Sequence, residues 1–596
     1  MSLSIKASSI LLVALISMTG CNQGSSSGPV KRAPSQASLE WMKLTNGFLE
    51  DWFRAQPFFA ARAGKHDFDG QLPDLSSHGI KREIARLHDA REHLSAVDPA
   101  TLQPNERFDR EYLLSVVDRN LFWLEKTRYP FSNPYWYLGN LDPNMYLTRN
   151  YAPLEARMKA YIKYARGIPK MASNIQENLK GPLPKTYLEL GIAEFGGFAD
   201  FYKKDVAPVF ASVTDPDLQK QLNDANAQAA QAMSNLKDYL ISLRKTATDK
   251  FPLGKDLFAQ MLKDTEGVDL TVEQIEAAGR ADLNRNTEAL KAECAAYFPK
   301  GTLGACIAKM TAKKPQGGVV DVARKQLESL REFVANNHVV SVPNDDQASV
   351  AEAPPYNRAN AAFIKVPGPY EHGVGATYYI APPDPKWTKA EQAAYIPGEA
   401  QLLFTSVHEV WPGHFLQFLH SNANPDKLEA LWVGYAFAEG WAHYSEQMMI
   451  EEGLGKGDPE THIGQLTNAL LRDVRLLSAI GLHTEGMTVA QSEKMFQEQA
   501  YEDPGNARQQ AARGTYDPAY LNYTLGKLMI LKLRTDWIAK ARAGSGAAAA
   551  APAGNSASPA DDRALWRDFH DKFLSFGGPP IPLLRKEMLG EEGSLL

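Results

Sequence analysis

The stretch over residues 404–418, which reads FTSVHEVWPGHFLQF, constrains the fold more than any other part of the sequence. Apolar side chains flank a His-Glu pair and a second histidine, but Pro412 and Gly413 interrupt the stretch. Proline has no N–H to offer the carbonyl group of His408, four residues earlier, so a helix must break or kink here. Glycine gives the backbone further freedom. We therefore predict a kink over residues 410–413.

This kink decides whether two histidines can act together. His408 and His414 are six residues apart, so on a regular helix they would point about 120° away from each other. A kink between them can return both side chains to one side. Residues 435–449, YAFAEGWAHYSEQMM, then place a carboxylate, Glu439, on a second predicted helix.

Two imidazoles and one carboxylate are the protein ligands of many catalytic zinc sites, which keep the fourth position for water. We predict that His408, His414 and Glu439 bind one Zn²⁺ ion. Zinc lowers the pKa of water that it binds to about 7, and a neighbouring carboxylate can accept the proton. Glu409, directly after the first histidine, is the predicted catalytic base.

The pattern H-E-x-x-P-G-H followed by E-G-W-A-x-Y-x-E resembles a bacterial family known as domain of unknown function 885. That family is similar to zincin metallopeptidases of the thimet oligopeptidase and Taq carboxypeptidase types. In those relatives the third zinc ligand is a Glu on a second helix, at the separation that Glu439 has from His414, which is 25 residues. The resemblance implies the same three ligands, the catalytic role of Glu409 and a zincin-like fold.

Two further residues of the second helix are candidates to assist this site. His443 lies one helical turn after Glu439, and we predict that it contacts the substrate or supports the ligands. Glu446, two turns after Glu439, is predicted to support the site or a neighbouring helix. A competing interpretation is a structural zinc site, which is normally closed by four ligands, with His443 as the fourth.

Residues 513–523, RGTYDPAYLNY, resemble the tyrosine-rich segment of thimet oligopeptidase-type enzymes. The resemblance implies that tyrosine hydroxyl groups lie over the zinc, where a phenol can donate to the oxyanion of a tetrahedral intermediate. Tyr523 and then Tyr520 are the candidates. Tyr516 shares the spacing, but packing at a helix start is a strong alternative for it. Arg513 is a candidate to bind a substrate carboxylate through its planar guanidinium group.

Residues 338–385 change character, because short β-branched and aromatic runs replace the helical pattern. HVVSV, FIKV and ATYYIAPPDP, with Pro and Gly between them, predict a small sheet just before the metal helix. Zincins of this type lay the substrate backbone along an edge strand of such a sheet. The candidate substrate edge consists of Ala376, Thr377, Tyr378 and Tyr379. A purely structural hairpin is the alternative.

Most of the remaining chain has the helical spacing of apolar residues. The predicted helices cover residues 39–63, 79–95, 104–126, 153–180, 215–246, 272–297, 462–500, 524–541 and 563–590. Thr271 and Gln274 form a predicted capping box at the start of one of them. Cys294 and Cys306 are twelve residues apart. An exported chain permits a disulfide between them, although sequence alone cannot prove the pairing.

The N-terminus has the features of an exported lipoprotein. Residues 1–20 are a predicted secretory signal, with Lys6 as its positive charge and a short apolar run after it. Cys21 follows in a pattern that resembles the cleavage site of bacterial lipoproteins, whose cysteine is lipidated. Residues 21–37 are a predicted flexible tether. We predict a periplasmic protein that reaches the membrane only through a lipid on Cys21, with a plain periplasmic protein as the alternative.

Composition favours a folded protein with a large core. The chain has 44% hydrophobic and 22% charged residues, as globular proteins do. Its net charge of −6 over 596 residues gives no sign of a nucleic-acid partner or of binding to an anionic surface. We predict one mainly α-helical, zincin-like domain over residues 38–596, with a small β-sheet beside the active site and a cleft between two helical halves. Residues 543–562 are a predicted low-complexity insertion.

The predicted function is zinc-dependent hydrolysis of peptide bonds outside the cytoplasm, with short peptides as substrates. Two alternatives stay open: a zinc amidase that acts on cell-wall peptide, and a non-catalytic zinc-binding lipoprotein. The His/His/Glu ligand set does not exclude manganese or cobalt. Side-chain preference, the site of cleavage within a peptide and the oligomeric state have no decisive residue in the sequence.

Overall fold

The computed structural model of the protein describes residues 35–544 and 559–596. The predicted signal, the lipidation site Cys21, nearly all of the tether and most of the predicted insertion lie outside these ranges. Within them the protein is mainly helical, with one small three-stranded sheet. No described helix combines the length and apolar character that crossing a membrane requires.

The described chain before residue 337 contains helices and connecting segments but no strand. Its helices are α1 (Gln36–Ala55), α2 (Pro57–Arg62), α3 (Ser77–Ala96), α4 (Pro104–Leu121), α5 (Tyr135–Leu138), α6 (Asn144–Thr148), α7 (Leu154–Asn178), α8 (Lys185–Lys204), α9 (Val206–Val209), α10 (Pro216–Leu243), α11 (Lys255–Glu266), α12 (Val272–Tyr297), α13 (Leu303–Thr311) and α14 (Val319–Asn336). Helix α10 packs against both α7 and α8, and the three helices enclose a core of their own.

Most of the helices predicted before residue 300 are present in the structure. The predicted helix over residues 39–63 is two helices, because Pro57 cannot continue α1 and instead begins α2 at its first position. Thr271 and Gln274 form the predicted capping box of α12, with both hydrogen bonds made. A disulfide joins Cys294 of α12 to Cys306 of α13, which confirms the pairing that the sequence permitted.

The predicted small sheet is present, but the strand predicted to form its edge lies in its centre. Its strands are β1 (Ala348–Glu352), β2 (Ala362–Lys365) and β3 (Ala376–Ile380). β3 lies in the centre, parallel to β1 and antiparallel to β2. The prediction that residues 376–379 form a substrate edge is therefore wrong, because both sides of β3 already pair with neighbouring strands. The predicted strand HVVSV, residues 338–342, is not a strand.

The last part of the chain carries the His-Glu motif and the other candidate metal ligands. Its helices are α15 (Lys389–Tyr395), α16 (Glu399–Glu409), α17 (His414–Ala423), α18 (Lys427–Leu431), α19 (Tyr435–Glu451), α20 (Pro459–Thr484), α21 (Val489–Gln499), α22 (Pro504–Tyr516), α23 (Asn522–Gly544), α24 (Pro559–Leu574) and α25 (Ile581–Leu589). The predicted helix over residues 462–500 is two, and Gly486 between them has a φ of +73°, a conformation that favours glycine. α16, α19, α20 and α23 share the largest hydrophobic core.

One buried carboxyl group in the fold predicts a dependence of stability on pH. Asp109 of α4 has one buried oxygen atom without a hydrogen-bond partner among the described residues. Burial, and then the negative charges of Asp426, Glu429 and Glu106, raise its pKa to about 8. An unfolded Asp has a pKa of about 3.9. The folded state thus holds this proton more tightly, so the free energy of unfolding falls as the pH rises between these two values.

We expect Asp109→Asn to stabilise the protein more at pH 8 than at pH 5. The gain should grow by up to about 1.4 kcal/mol per pH unit, the value of a full pKa unit. Urea unfolding at the two pH values measures it. Glu111→Gln, an exposed carboxyl on the same helix, is the control and should show no such pH dependence. An equal gain from Asp109→Asn at both pH values would contradict the prediction.

Candidate metal centre

The kink predicted at residues 410–413 is confirmed. Helix α16 ends at Glu409, and α17 begins at His414. The backbone folds so tightly between them that a Cβ atom on Gly413 would lie 1.8 Å from the carbonyl oxygen of His408. No other residue type fits such a close approach, so this turn requires glycine.

Helix α19 holds the turn from the other side. The buried indole N–H of Trp441 donates to the carbonyl oxygen of Pro412 at 2.8 Å. The peptide bond between Trp411 and Pro412 is cis. Because Trp441 lies two residues after Glu439 on α19, this hydrogen bond links the turn to the helix that carries the third predicted ligand.

The turn brings the three predicted ligands together. The Nε2 atoms of His408 and His414 lie 3.3 Å and 3.1 Å from the same oxygen, Oε2 of Glu439. Their rings are nearly perpendicular, with centroids 4.9 Å apart. One potential ligand atom from each of the three residues lies within 4.8 Å of the others, and this is the one such group among the residues in the described ranges.

The electrostatics of the group suit a cation. Burial raises the pKa of the Glu439 carboxyl, but the charge of His414 and hydrogen bonds from both histidines outweigh it and hold the pKa well below its usual range. Burial lowers the pKa of His414, whereas the charge and hydrogen bond of Glu439 raise it above its ordinary value. Two imidazole nitrogens lie at hydrogen-bond distance from one carboxylate oxygen. The same three groups could bind a divalent metal ion, and this donor set fits zinc.

A second carboxylate fixes the orientation of His408. Oε1 of Glu446 lies 2.7 Å from Nδ1 of His408, which assigns the proton to Nδ1 and leaves the lone pair of Nε2 for a metal. Arg472 binds the same oxygen at 3.0 Å. Burial raises the pKa of Glu446, but the charge of Arg472 and the hydrogen bonds from His408 and His443 together outweigh it and hold the pKa well below its usual range. Glu446 is therefore negatively charged and orients the candidate ligand His408 through this hydrogen bond.

Glu409 has two features of a general base, a carboxylate oxygen without a hydrogen-bond partner among the described residues and a raised pKa. Its carboxyl group is buried, with 6% of the residue exposed, and Oε2 has no hydrogen-bond partner within the described residues. Burial raises its pKa above the ordinary value, while the nearby charges of His414 and His408 oppose the rise. A carboxylate with a free oxygen and a raised pKa accepts a proton more readily than an exposed one.

Tyr523 lies beside the candidate ligands and is held by arginines. Its ring stacks on that of His408 with centroids 5.9 Å apart. Arg475 lies 4.6 Å above the same ring, and Nη2 of Arg513 is 3.3 Å from the hydroxyl oxygen. Because Arg513 donates to this oxygen, the hydroxyl proton of Tyr523 is available to another acceptor.

Arg513 itself has several partners in the structure. It donates to Asp517 at 3.0 Å, to the hydroxyl group of Tyr435 at 2.9 Å and to the side chain of Asn360 at 3.3 Å. These contacts hold the guanidinium group of Arg513 beside the hydroxyl group of Tyr523. A substrate carboxylate would compete with them for the guanidinium group.

Other predicted site residues lie away from the ligands. The hydroxyl group of Tyr520 donates to Ser478 at 3.0 Å inside the core. His443 is fully buried, and its Nδ1 atom lies 3.7 Å from Oε1 of Glu446, the carboxylate that orients His408. Tyr516 packs against Tyr187, which fits the packing alternative. The hydroxyl group of Tyr379 accepts a hydrogen bond from Asn144, in agreement with a structural role for β3.

A cavity of about 620 Å³ opens next to the candidate metal centre. It is rich in aromatic side chains. Glu439 and Tyr523 line it together with residues of the N-terminal helices. Its lining includes Trp123, Tyr129, Tyr135, Trp136, Asp142, Glu194, Phe198, Tyr356, Phe363, Ile364, Lys365, Tyr435, Glu439, Arg513, Tyr516, Asp517 and Tyr523. The candidate ligand Glu439 thus borders a space that a small molecule can enter.

Sequence reasoning missed some residues of this site. Tyr435 lies one turn before Glu439 on α19, a spacing that places both on one helix face and could have identified it. Arg472 and Arg475 of α20 have no local motif, and only tertiary packing shows that they contact Glu446 and the ring of Tyr523.

The contact between Glu446 and His408 leads to a measurable expectation. Glu446→Gln removes the charge that orients His408, so we expect zinc affinity to fall roughly 10- to 100-fold, as it does when such supporting groups are replaced. Competition with a chelator measures this change. Glu451→Gln, on the same helix and paired with Arg534 instead, should leave zinc affinity unchanged. Equal affinities in both variants would count against a role for Glu446.

The fold and site together define a mainly helical protein with a candidate two-histidine, one-carboxylate metal centre. The sequence model of the family described as "Bacterial protein of unknown function (DUF885)" matches residues 57–588. This chain belongs to that family, as the motifs around His408 and Glu439 predicted. The comparison with curated proteins gives no match.

Two solved structures share the fold. One is described as a "putative lipoprotein of unknown function" from Shewanella oneidensis; it is 22% identical, with a TM-score of 0.71, and the match covers 92% of this chain and 99% of that one. The other is described as a "putative lipoprotein" from Colwellia psychrerythraea; it is 18% identical, with a TM-score of 0.75, and the match covers 93% and 99% of the two chains.

Proposed function

We propose that this protein is a zincin-like, zinc-dependent peptidase that hydrolyses short peptides outside the cytoplasm. The observation that carries the proposal is the convergence of His408, His414 and Glu439 directly beside Glu409, whose buried carboxyl oxygen has no partner in the described chain. Bound zinc would polarise the scissile carbonyl group and lower the pKa of water.

In this proposal Glu409 moves the protons. Its unpartnered oxygen Oε2 would accept a proton from the attacking water and pass it to the leaving amine. Its buried position supports this role, since burial raises the pKa of Glu409 and makes the carboxylate a stronger base.

Tyr523 would stabilise the developing negative charge. Its hydroxyl proton is free, because Arg513 already donates to the oxygen, and its ring packs on that of His408. A phenol in this position can donate to the oxyanion of the tetrahedral intermediate. Arg513 would then orient Tyr523, and we propose this role for it in preference to binding a substrate carboxylate.

The cavity favours small substrates. Its volume of about 620 Å³ falls in the range of pockets that enclose small ligands. Edge strand β2 borders it through Phe363, Ile364 and Lys365. We propose that β2, rather than the central strand, offers its free backbone groups to an extended peptide. The cavity, which is lined by residues from the helices before the sheet and from those after it, would serve as the substrate cleft.

The geometry does not favour a closed structural zinc site. Such a site needs a fourth protein ligand, and His443 was the candidate. His443 is not among the three converging residues of the described chain. For the location, we propose export and a lipid anchor on Cys21, a residue outside the described ranges; the two solved relatives are themselves described as putative lipoproteins.

A peptide-library digest tests the proposed function. The purified protein is analysed for bound metal, incubated with a mixture of short peptides, and the products are identified by mass spectrometry. We expect about one zinc per chain, cleavage that a chelator abolishes and zinc restores, and a folded protein substrate left intact. A protein that holds zinc but cleaves no peptide would contradict the proposal.

A further inference from the structure

One charged residue of the cavity wall has no counter-charge. The charged side chains that line the cavity form pairs in all other cases: Asp142 with Lys365 at 2.8 Å, Asp517 with Arg513 at 3.0 Å, and Glu439 with the two histidines. Glu194 is the exception, since it has neither an ion pair nor a hydrogen bond to any residue that the structure describes.

Glu194 is nevertheless deeply buried. Only 5% of the residue is exposed, and burial raises the pKa of its carboxyl group well above the ordinary value. Burying an ionisable group without a partner is unfavourable. A positive charge that enters the cavity with a ligand would remove this penalty.

The position of Glu194 on α8 directs it to the cavity. Leu190 lies one turn before it and Tyr187 two turns before, and both pack against Tyr516 of α22. Phe198, one turn after it, also lines the cavity and stacks on Tyr356 with centroids 4.4 Å apart. Glu194 therefore lies on the face of α8 that borders the cavity.

The surrounding wall suits a cation as well. Aromatic rings attract positive charge through their faces. The rings of Tyr135 and Tyr516, which both line the cavity, lie with their centroids 5.4 Å apart. The charge of Glu194 is close enough to contribute to the raised pKa of Tyr516. An unpaired carboxyl group and aromatic rings thus lie together in one wall.

We propose that Glu194 binds a positively charged group of the substrate, an ammonium or a guanidinium, so that the protein prefers cationic peptides. This inference rests on the proposed peptidase function for the identity of the ligand. The charge could come from the peptide N-terminus or from a basic side chain, which share the chemistry that Glu194 recognises.

Peptide binding tests this inference separately from catalysis. Isothermal titration calorimetry is done with the full-length, zinc-loaded protein that carries Glu409→Gln, so that bound peptide is not consumed. Four peptides of one sequence combine a free or acetylated N-terminus with a lysine or norleucine side chain. We expect a charged form to bind roughly 10- to 100-fold more tightly than its neutral counterpart, the value of a charge-assisted contact. The pair that differs identifies which ammonium group is recognised.

Adding Glu194→Gln should abolish this preference and leave the neutral peptide unaffected. Glu194→Asp, which keeps the charge, should retain part of it. Glu189→Gln is the control, because Glu189 lies on the same helix but is exposed and paired with Arg244 at 2.6 Å. Thermal unfolding should show that Glu194→Gln is at least as stable as the parent.

Equal binding of charged and neutral peptides, or a preference that survives Glu194→Gln, would overturn the inference even if hydrolysis is established. A Glu194-dependent preference in a protein without hydrolytic activity would refute the proposed function alone.

Discussion

Replacing Glu439 with glutamine is expected to weaken zinc binding by roughly a hundredfold or more. The site has three candidate protein ligands, so each contributes a large part of the binding free energy, and this substitution removes the negative charge of one of them. Oε2 of Glu439 is also the atom on which both histidine Nε2 atoms converge. Peptide hydrolysis should disappear with the metal. Metal analysis after dialysis measures the zinc content, and the peptide digest measures activity.

The control for this experiment is Glu451→Gln on the same helix, where the carboxylate pairs with Arg534 away from the ligands. It should retain about one zinc per chain, as expected for a site with three intact ligands. Circular dichroism should show the same helical content for both variants. A Glu439→Gln protein that keeps its full zinc content would rule out Glu439 as a ligand.

Glu409→Gln is expected to separate metal binding from catalysis. The amide cannot accept a proton, so we expect kcat for peptide hydrolysis to fall roughly 10²- to 10⁴-fold, the usual contribution of a general base. Zinc content should be unchanged, since Glu409 is not one of the three converging residues. The measurements are initial rates on one short peptide and metal analysis of the same preparation.

Glu399→Gln is the matched control, because Glu399 is exposed at the first turn of the same helix, α16. It should hydrolyse peptides at the wild-type rate. If Glu409→Gln also retained that rate, Glu409 would not be the base, and the proposed mechanism would be wrong. If Glu409→Gln lost its zinc, the fall in rate would report metal loss instead of proton transfer.

Local chemistry explains why the kink in the candidate metal motif could be predicted from the sequence. Pro412 and Gly413 act on the backbone within a few residues, so the kink that returns His414 to the side of His408 follows from covalent structure and sterics. The long helices follow from the spacing of apolar residues, and the capping box of α12 follows from side chains three residues apart.

Contacts between distant segments could not be read in the same way. Strand β3 has an aromatic, β-branched sequence that suits an edge or a centre equally, and its pairing with both β1 and β2 decided its place. Tyr520 and Tyr523 share one motif, yet the first donates to Ser478 in the core while the second lies against His408. Three residues of separation near a helix start do not fix which side chain faces the site.

The sequence by itself determined the helical class, the kinked His-Glu motif and the residue types suited to a metal, because these depend on backbone chemistry and short-range spacing. Only the tertiary structure decided that Glu446 orients His408, that Arg513 holds Tyr523 and that Glu194 lies unpaired in the cavity wall. Burial and the pairing of charges are properties of surfaces that meet across the fold, so no single segment of the chain contains them.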